Sequence, residues 1–227
     1  RVVLTSSIVA VFGDAADIRK TEGGVFTEKH WNFSSSAAHQ PYPYSKTVAE
    51  KLAWSMAGEQ SRWDLLTINP GLIMGPSLSK RTDSTSIDLM VQLASGKFKT
   101  GVPSGAMSFV DVRDVAQAHI RAGFTPEASG RHICSAHEKS FLDLANAIRA
   151  GYPQYPLPQS YVPKWLFLLI APLAGFTRKY VRLNVGYDVR LDNSYIRRDL
   201  EMDFRPFEQT ITEHFQQLLD DGIIEKR

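Results

Sequence analysis

The chain has 227 residues, 43% of them hydrophobic and 22% charged, with one cysteine. This near-average composition excludes collagen-like, disordered and disulfide-scaffold chains, and a net charge of +2 is too small for a bulk electrostatic grip on nucleic acid. No run reaches the roughly 18 apolar residues that a membrane span needs, so one domain, or one domain with a small appendage, is the expectation at this length.

The chain opens at Arg1 without an initiator methionine or a secretory pattern and runs straight into RVVLTSSIVAVF. It therefore reads as the interior of a larger protein, starting just before a buried strand. Residues 1–12 are apolar and β-branched on both alternating faces, as in a parallel strand covered on both sides. Residues 13–41 are small and polar and should form a long loop, a class that is usually functional or disordered. Residues 42–60 are helical in pattern, with Pro43 suited to a first turn and Val48, Leu52, Ala53 and Met56 forming an apolar stripe. Residues 64–68 make a second strand, ended by Asn69, Pro70 and Gly71.

Residues 82–95 predict a helix with Gly96 behind it. A short strand at 107–110, a helix at 112–123 and another short strand at 131–134 follow. Ser140 with Asp143 resembles a capping box opening a helix to Ala150. This alternation predicts an α/β fold with a doubly wound parallel sheet. After Gly151 the texture changes. Five prolines fall between Pro153 and Pro172, an apolar helix is expected at 165–174, and amphipathic helices at 191–202 and 207–220. We expect a sheet-bearing unit over 1–155 and a smaller, mostly helical substrate-binding cap over 156–227.

The strongest local signal is Tyr42-Pro-Tyr-Ser-Lys46. Residues four apart share a helix face. An ammonium held there favours the phenolate, which makes Tyr42 a candidate general acid/base. Upstream, the first strand ends in Thr5-Ser6-Ser7, where a hydroxyl would emerge at the C-terminal sheet edge. Ligands bind at that edge in open α/β sheets. Downstream, the second strand ends in INPGLIMGP (68–76), where the glycines would let backbone groups approach a ligand.

These motifs, together with SFVDVRDVAQAHI (108–120) and GRHICSAHEKSFLDLANAIRAGYPQY (130–155), resemble the extended short-chain dehydrogenase/reductase superfamily, also termed the NAD-dependent epimerase/dehydratase family. Within it the likeness is to the dihydroflavonol reductase and cinnamoyl-CoA reductase branch. It covers residues 1–155 in order and spacing, and the remainder more loosely through LDNSYIRRDL (191–200) and FRPFEQTI (204–211). The resemblance implies a Rossmann-like fold and an NAD(P)-dependent reduction of a ketone or aldehyde to an alcohol, or its reverse, with NADP favoured over NAD. Tyr42 would exchange the proton, Lys46 would bind the nicotinamide ribose, and Ser7 would hydrogen-bond the substrate oxygen. Pro70, Gly71, Leu72 and Ile73 would face the nicotinamide.

The family's glycine-rich GxxGxxG turn is not found in this chain, which then reads as the catalytic and substrate half of a reductase that binds dinucleotide poorly by itself. Phe12 stands where plant dihydroflavonol reductases commonly carry asparagine, which argues against flavonoid specificity. Phe12 and Trp31 are candidate apolar walls of the substrate pocket, although packing is the commoner role of such aromatics. A nucleotide-sugar epimerase, a 3β-hydroxysteroid dehydrogenase-type enzyme and a non-catalytic Rossmann-type scaffold are the alternatives.

The six histidines show no metal-ligand spacing and are expected to be hydrogen-bonded or solvated. Cys134 should be a buried, inert thiol. Asp111 and Asp114 should cap the helix that follows them. Arg178, Lys179 and Arg182 behind an apolar segment fit a pocket lid and, secondarily, a membrane-surface helix. A lone thiol and the missing membrane span suggest a cytoplasmic protein acting on a small carbonyl or alcohol, with no nucleic-acid partner.

Overall fold

A computed structural model describes residues 1–80, 82–173 and 175–227. The first elements are β1 (Val2–Thr5), α1 (Pro41–Gly58), β2 (Leu65–Pro70), β3 (Leu72–Met74), α2 (Thr85–Ser95), β4 (Val102–Pro103) and β5 (Ala106–Asp111). They are followed by α3 (Val112–Phe124), β6 (Gly130–Cys134), β7 (His137–Ser140), α4 (Phe141–Gly151) and β8 (Tyr161–Val162). The last are α5 (Lys164–Ile170), α6 (Arg178–Asn184), α7 (Ser194–Asp199) and α8 (Phe207–Asp220).

One parallel sheet has the order β1-β2-β6, with Val2 opposite Leu65 and Leu66 opposite Gly130. All six residues of β2 are buried, because helices cover both of its faces. Leu66 and Ile68 join a core with Val115, Ala118 and Ala122 of α3. Thr67 and Asn69 point the other way and bond Glu50 of α1. This is the expected doubly wound α/β arrangement.

Two short links carry the chain from this sheet into a second one. Gly71 links β2 to β3, and Ser135-Ala136 links β6 to β7. The second sheet has the order β3-β5-β7, parallel then antiparallel. Gly71 N–H donates to the Cys134 carbonyl (3.1 Å), and Ser108 Oγ donates to Ser135 Oγ (2.7 Å). These bonds tie the two crossing points together.

Three expectations need correction. The first strand stops at Thr5 rather than continuing to Phe12. Ser7 is extended, and its hydroxyl accepts the Val9 N–H, opening a 3-10 turn at Ile8–Ala10. A serine that bonds nearby backbone competes with strand pairing.

Second, α1 buries Pro43, Thr47 and Glu50, leaving Val48, Leu52 and Met56 at 46%, 59% and 55% exposure. The polar stripe faces the sheet, where Glu50 finds its donors. Third, Asp111 does cap α3 by accepting Arg113 N–H (2.8 Å), but Asp114 instead takes the Arg205 N–H (2.8 Å) and guanidinium. The Ser140–Asp143 capping box is present, as is the left-handed Gly96 behind α2.

Residue 155 falls inside a shared core. Tyr155, Phe207, Ile211 and Phe215 pack with Met74, Phe109 and Leu144, and Ile196 of α7 joins Leu66 and Ile68. The helices α5 and α6 instead form their own small cluster of Ala171, Val181 and Val185. Ala174, at the end of the expected apolar helix, lies outside the described residues.

Candidate active site

The start of α1 is set by its sequence. Pro41 and Pro43 fix a helical φ in the first turn. Gln40 before them is left-handed (φ 56°), and its amide donates to the Gly13 carbonyl (3.1 Å) and to Asp14 Oδ1 (2.6 Å). Asp14 is buried and also pairs with His39 (2.9 Å) and Asn184 of α6 (2.7 Å). The loop over residues 13–40 is thereby stitched to the entry of α1 and to the helical hairpin.

Tyr42 and Lys46 lie one turn apart on α1, on one face. Lys46 Nζ donates to the Thr5 carbonyl (3.3 Å), the last residue of β1. Ser7 follows two residues later, half-buried, and its carbonyl accepts Asn69 Nδ2 (3.0 Å). Thr47 Oγ1 reaches the Val9 carbonyl (3.4 Å), so α1 sits against the turn that Ser7 opens. Tyr42 is 60% exposed.

Beneath this lies a buried polar cluster that sequence reasoning missed. The carboxylate of Glu50, fully buried, accepts Arg131 Nε (2.6 Å), Asn69 Nδ2 (2.8 Å), Thr67 Oγ1 (3.3 Å), Trp54 Nε1 (3.4 Å) and the Ser6 hydroxyl. Burying an unpaired carboxylate would cost several kcal/mol, which these donors offset. The cluster holds β1, β2 and β6 against α1 and fixes Asn69, which carries Ser7. The available signal was Thr67 and Asn69 inside an otherwise apolar strand.

The other expected residues fall as follows. Pro70 is buried at the end of β2. At Gly71 a Cβ would stand 2.1 Å from Ser108 Oγ and 2.8 Å from the Ser108 carbonyl oxygen. Leu72 and Ile73 belong to β3 and pack against different cores. Phe12 stacks on Phe26 at 4.9 Å. Trp31 covers Arg131, whose Cζ lies 3.8 Å from the ring centre, with Lys51 also at 5.4 Å.

All six histidines have hydrogen-bond partners, including Thr5 with His119 (2.7 Å) and Asp199 with His132 (2.7 Å). Cys134 is buried, and burial pushes its thiol up to about 12, far from a reactive thiolate.

The donor set fits a nicotinamide ribose. Among the described residues the Tyr42 hydroxyl has no hydrogen-bond partner, and Lys46 spends one of its three N–H donors on Thr5. Lys46 stands at the carboxyl end of a parallel strand, the usual ligand edge of such sheets, with Tyr42 one turn earlier on the same helix.

Comparison with known proteins supplies the class. Residues 1–134 match the NAD dependent epimerase/dehydratase family, and the chain belongs to that family. Among its relatives, an anthocyanidin reductase ((2S)-flavan-3-ol-forming) of Vitis vinifera is 40% identical over 173 residues, covering 71% of this chain and 50% of that protein. Cinnamoyl-CoA reductase 1 of Petunia hybrida is 32% identical over 224 residues, covering 98% and 60%. The chain thus spans about half to three fifths of these relatives' length. The fold is shared with yeast methylglyoxal/isovaleraldehyde reductase Gre2 complexed with NADPH (TM-score 0.71, 26% identity, 98% of this chain and 64% of that one). Among the described residues, no helix is long and apolar enough to cross a membrane.

Proposed function

We propose that the protein is an NAD(P)-dependent oxidoreductase interconverting a ketone or aldehyde and its alcohol, with Tyr42, Lys46 and Ser7 as its working residues. The observation that carries this reading is Lys46, held on the last carbonyl of β1 one helical turn after an exposed phenol. A bound nicotinamide dinucleotide supplies the hydride when the carbonyl is reduced. Tyr42 donates its phenolic proton to the carbonyl oxygen as negative charge gathers there, and takes it back in the oxidative direction. Lys46 holds the ribose hydroxyls and stabilises the phenolate left by proton transfer. Ser7 donates to the same substrate oxygen, a prearranged dipole that needs no reorganisation during the reaction.

The named reductases among the relatives support this reading over a sugar epimerase or a scaffold, and the NADPH bound to the yeast relative supports NADP over NAD. The test is Tyr42→Phe in the full-length protein. NADPH-dependent reduction of a carbonyl panel should fall by about 100-fold or more, while NADPH affinity, read by fluorescence titration, stays near the parental value. Reduction at the parental rate would remove Tyr42 from the mechanism.

A further inference from the structure

The α5–α6 hairpin carries a surface unlike the rest of the molecule. No residue of α5 is buried. Trp165, Leu166, Leu169 and Ile170 are exposed, as are Leu173 (92%) and Phe176 beyond the helix. Their spacing places the four helical residues on one face. On the other side, Phe167 and Leu168 pack with Ala171 against Val181 and Val185 of α6. The hairpin core is complete without Trp165, Leu166, Leu169, Ile170 and Leu173, which are surplus to it, and Phe176 flanks it with its ring stacked on Tyr180 (5.4 Å).

Lys164 locks this orientation by donating to the carbonyls of Arg182 (3.0 Å) and Val185 (2.6 Å). An apolar patch held rigidly in water marks an interaction site.

The charge on the same hairpin indicates what it meets. Arg178, Lys179 and Arg182 occupy one exposed face of α6, and among the described residues none of them pairs with a carboxylate. Residues 161–187 contain no Asp or Glu at all. A protein partner would have to match six apolar side chains in shape. Fluid acyl chains need no such match, and headgroup phosphates supply the missing anions.

We propose that this hairpin docks on the surface of an anionic bilayer. Trp165, Leu166, Leu169, Ile170, Leu173 and Phe176 enter the headgroup boundary, and Arg178, Lys179 and Arg182 engage phosphates. The seven-residue α5 lies in the interface rather than crossing it.

Vesicle flotation of the full-length protein tests the proposal. Phosphatidylcholine vesicles with about 30 mol% phosphatidylserine should bind it at least about tenfold more tightly than phosphatidylcholine alone, and salt should weaken the binding. Leu169→Glu should cut partitioning about tenfold, and the Arg178→Glu/Lys179→Glu pair should erase the preference for phosphatidylserine. These side chains are exposed, so circular dichroism should show parental folding. The Trp165 emission should shift blue on vesicles, a shift lost in Trp165→Phe. Failure to bind, equal binding to neutral and anionic vesicles, or binding indifferent to Leu169→Glu would overturn the proposal. So would a solution dimer that Leu169→Glu dissociates, which would give the face to a second copy.

Discussion

Gly71 illustrates how the lack of a side chain can serve packing. Its missing side chain is the room into which Ser108 fits, and a Cβ at this position would stand 2.8 Å from the Ser108 carbonyl oxygen. Because backbone cannot step aside as a side chain can, Gly71→Ala should cost about 1–3 kcal/mol, read as a lower urea midpoint at unchanged slope. An unchanged midpoint would show that the two sheets slide freely at this point. Tyr42 and Lys46 were legible in the sequence because helical spacing is a local property. The cap made by Ser7 was not. Ile8, Val9 and Val11 have strand-like side chains, and nothing local shows that the preceding hydroxyl would bond the Val9 N–H.

The same contrast governs α1. Its apolar residues predicted one buried face, yet the helix turns Thr47 and Glu50 to the sheet because Arg131, Asn69 and Thr67 wait there, 81, 19 and 17 residues away in sequence. Such partners become visible only once the strands are assembled. Glu50→Ala should therefore destabilise the protein by about 3–5 kcal/mol by stranding Arg131, whereas Leu52→Ala should stay within about 0.5 kcal/mol. Equal losses in chemical denaturation would refute the assigned orientation.

On α8, His214 accepts the Gly75 N–H (3.2 Å), and burial pushes its pKa down to about 4 although Asp111 opposes the shift. The folded protein then holds fewer protons on this ring than the unfolded chain does. Stability is full above the unfolded value of about 6.5 and falls as pH drops toward 4, by roughly 3 kcal/mol. His214→Asn should flatten that portion of the pH–stability curve, and an unaltered slope would contradict it.

The alternation of strands and helices made the layered sheet legible, and the capping signals placed α2 and α4 well. The way the C-terminal third divides was hidden, because α7 and α8 bury their apolar faces against residues far earlier in the sequence, Phe207 meeting Phe109 at 5.4 Å among them. Among the described residues, α5 and α6 keep a small core of their own. Asp14 connects this hairpin to the rest, holding Asn184 of α6 together with His39 and Gln40 at the threshold of α1. The α5–α6 hairpin and the entry of α1, which carries Tyr42, are thus held by one carboxylate, so that a tilt of either strains the same set of bonds. Asp14→Ala should speed amide hydrogen exchange in α6 and in the opening turn of α1 by a common factor. Loosening at one end only would mean that the hairpin and the entry of α1 move as independent parts.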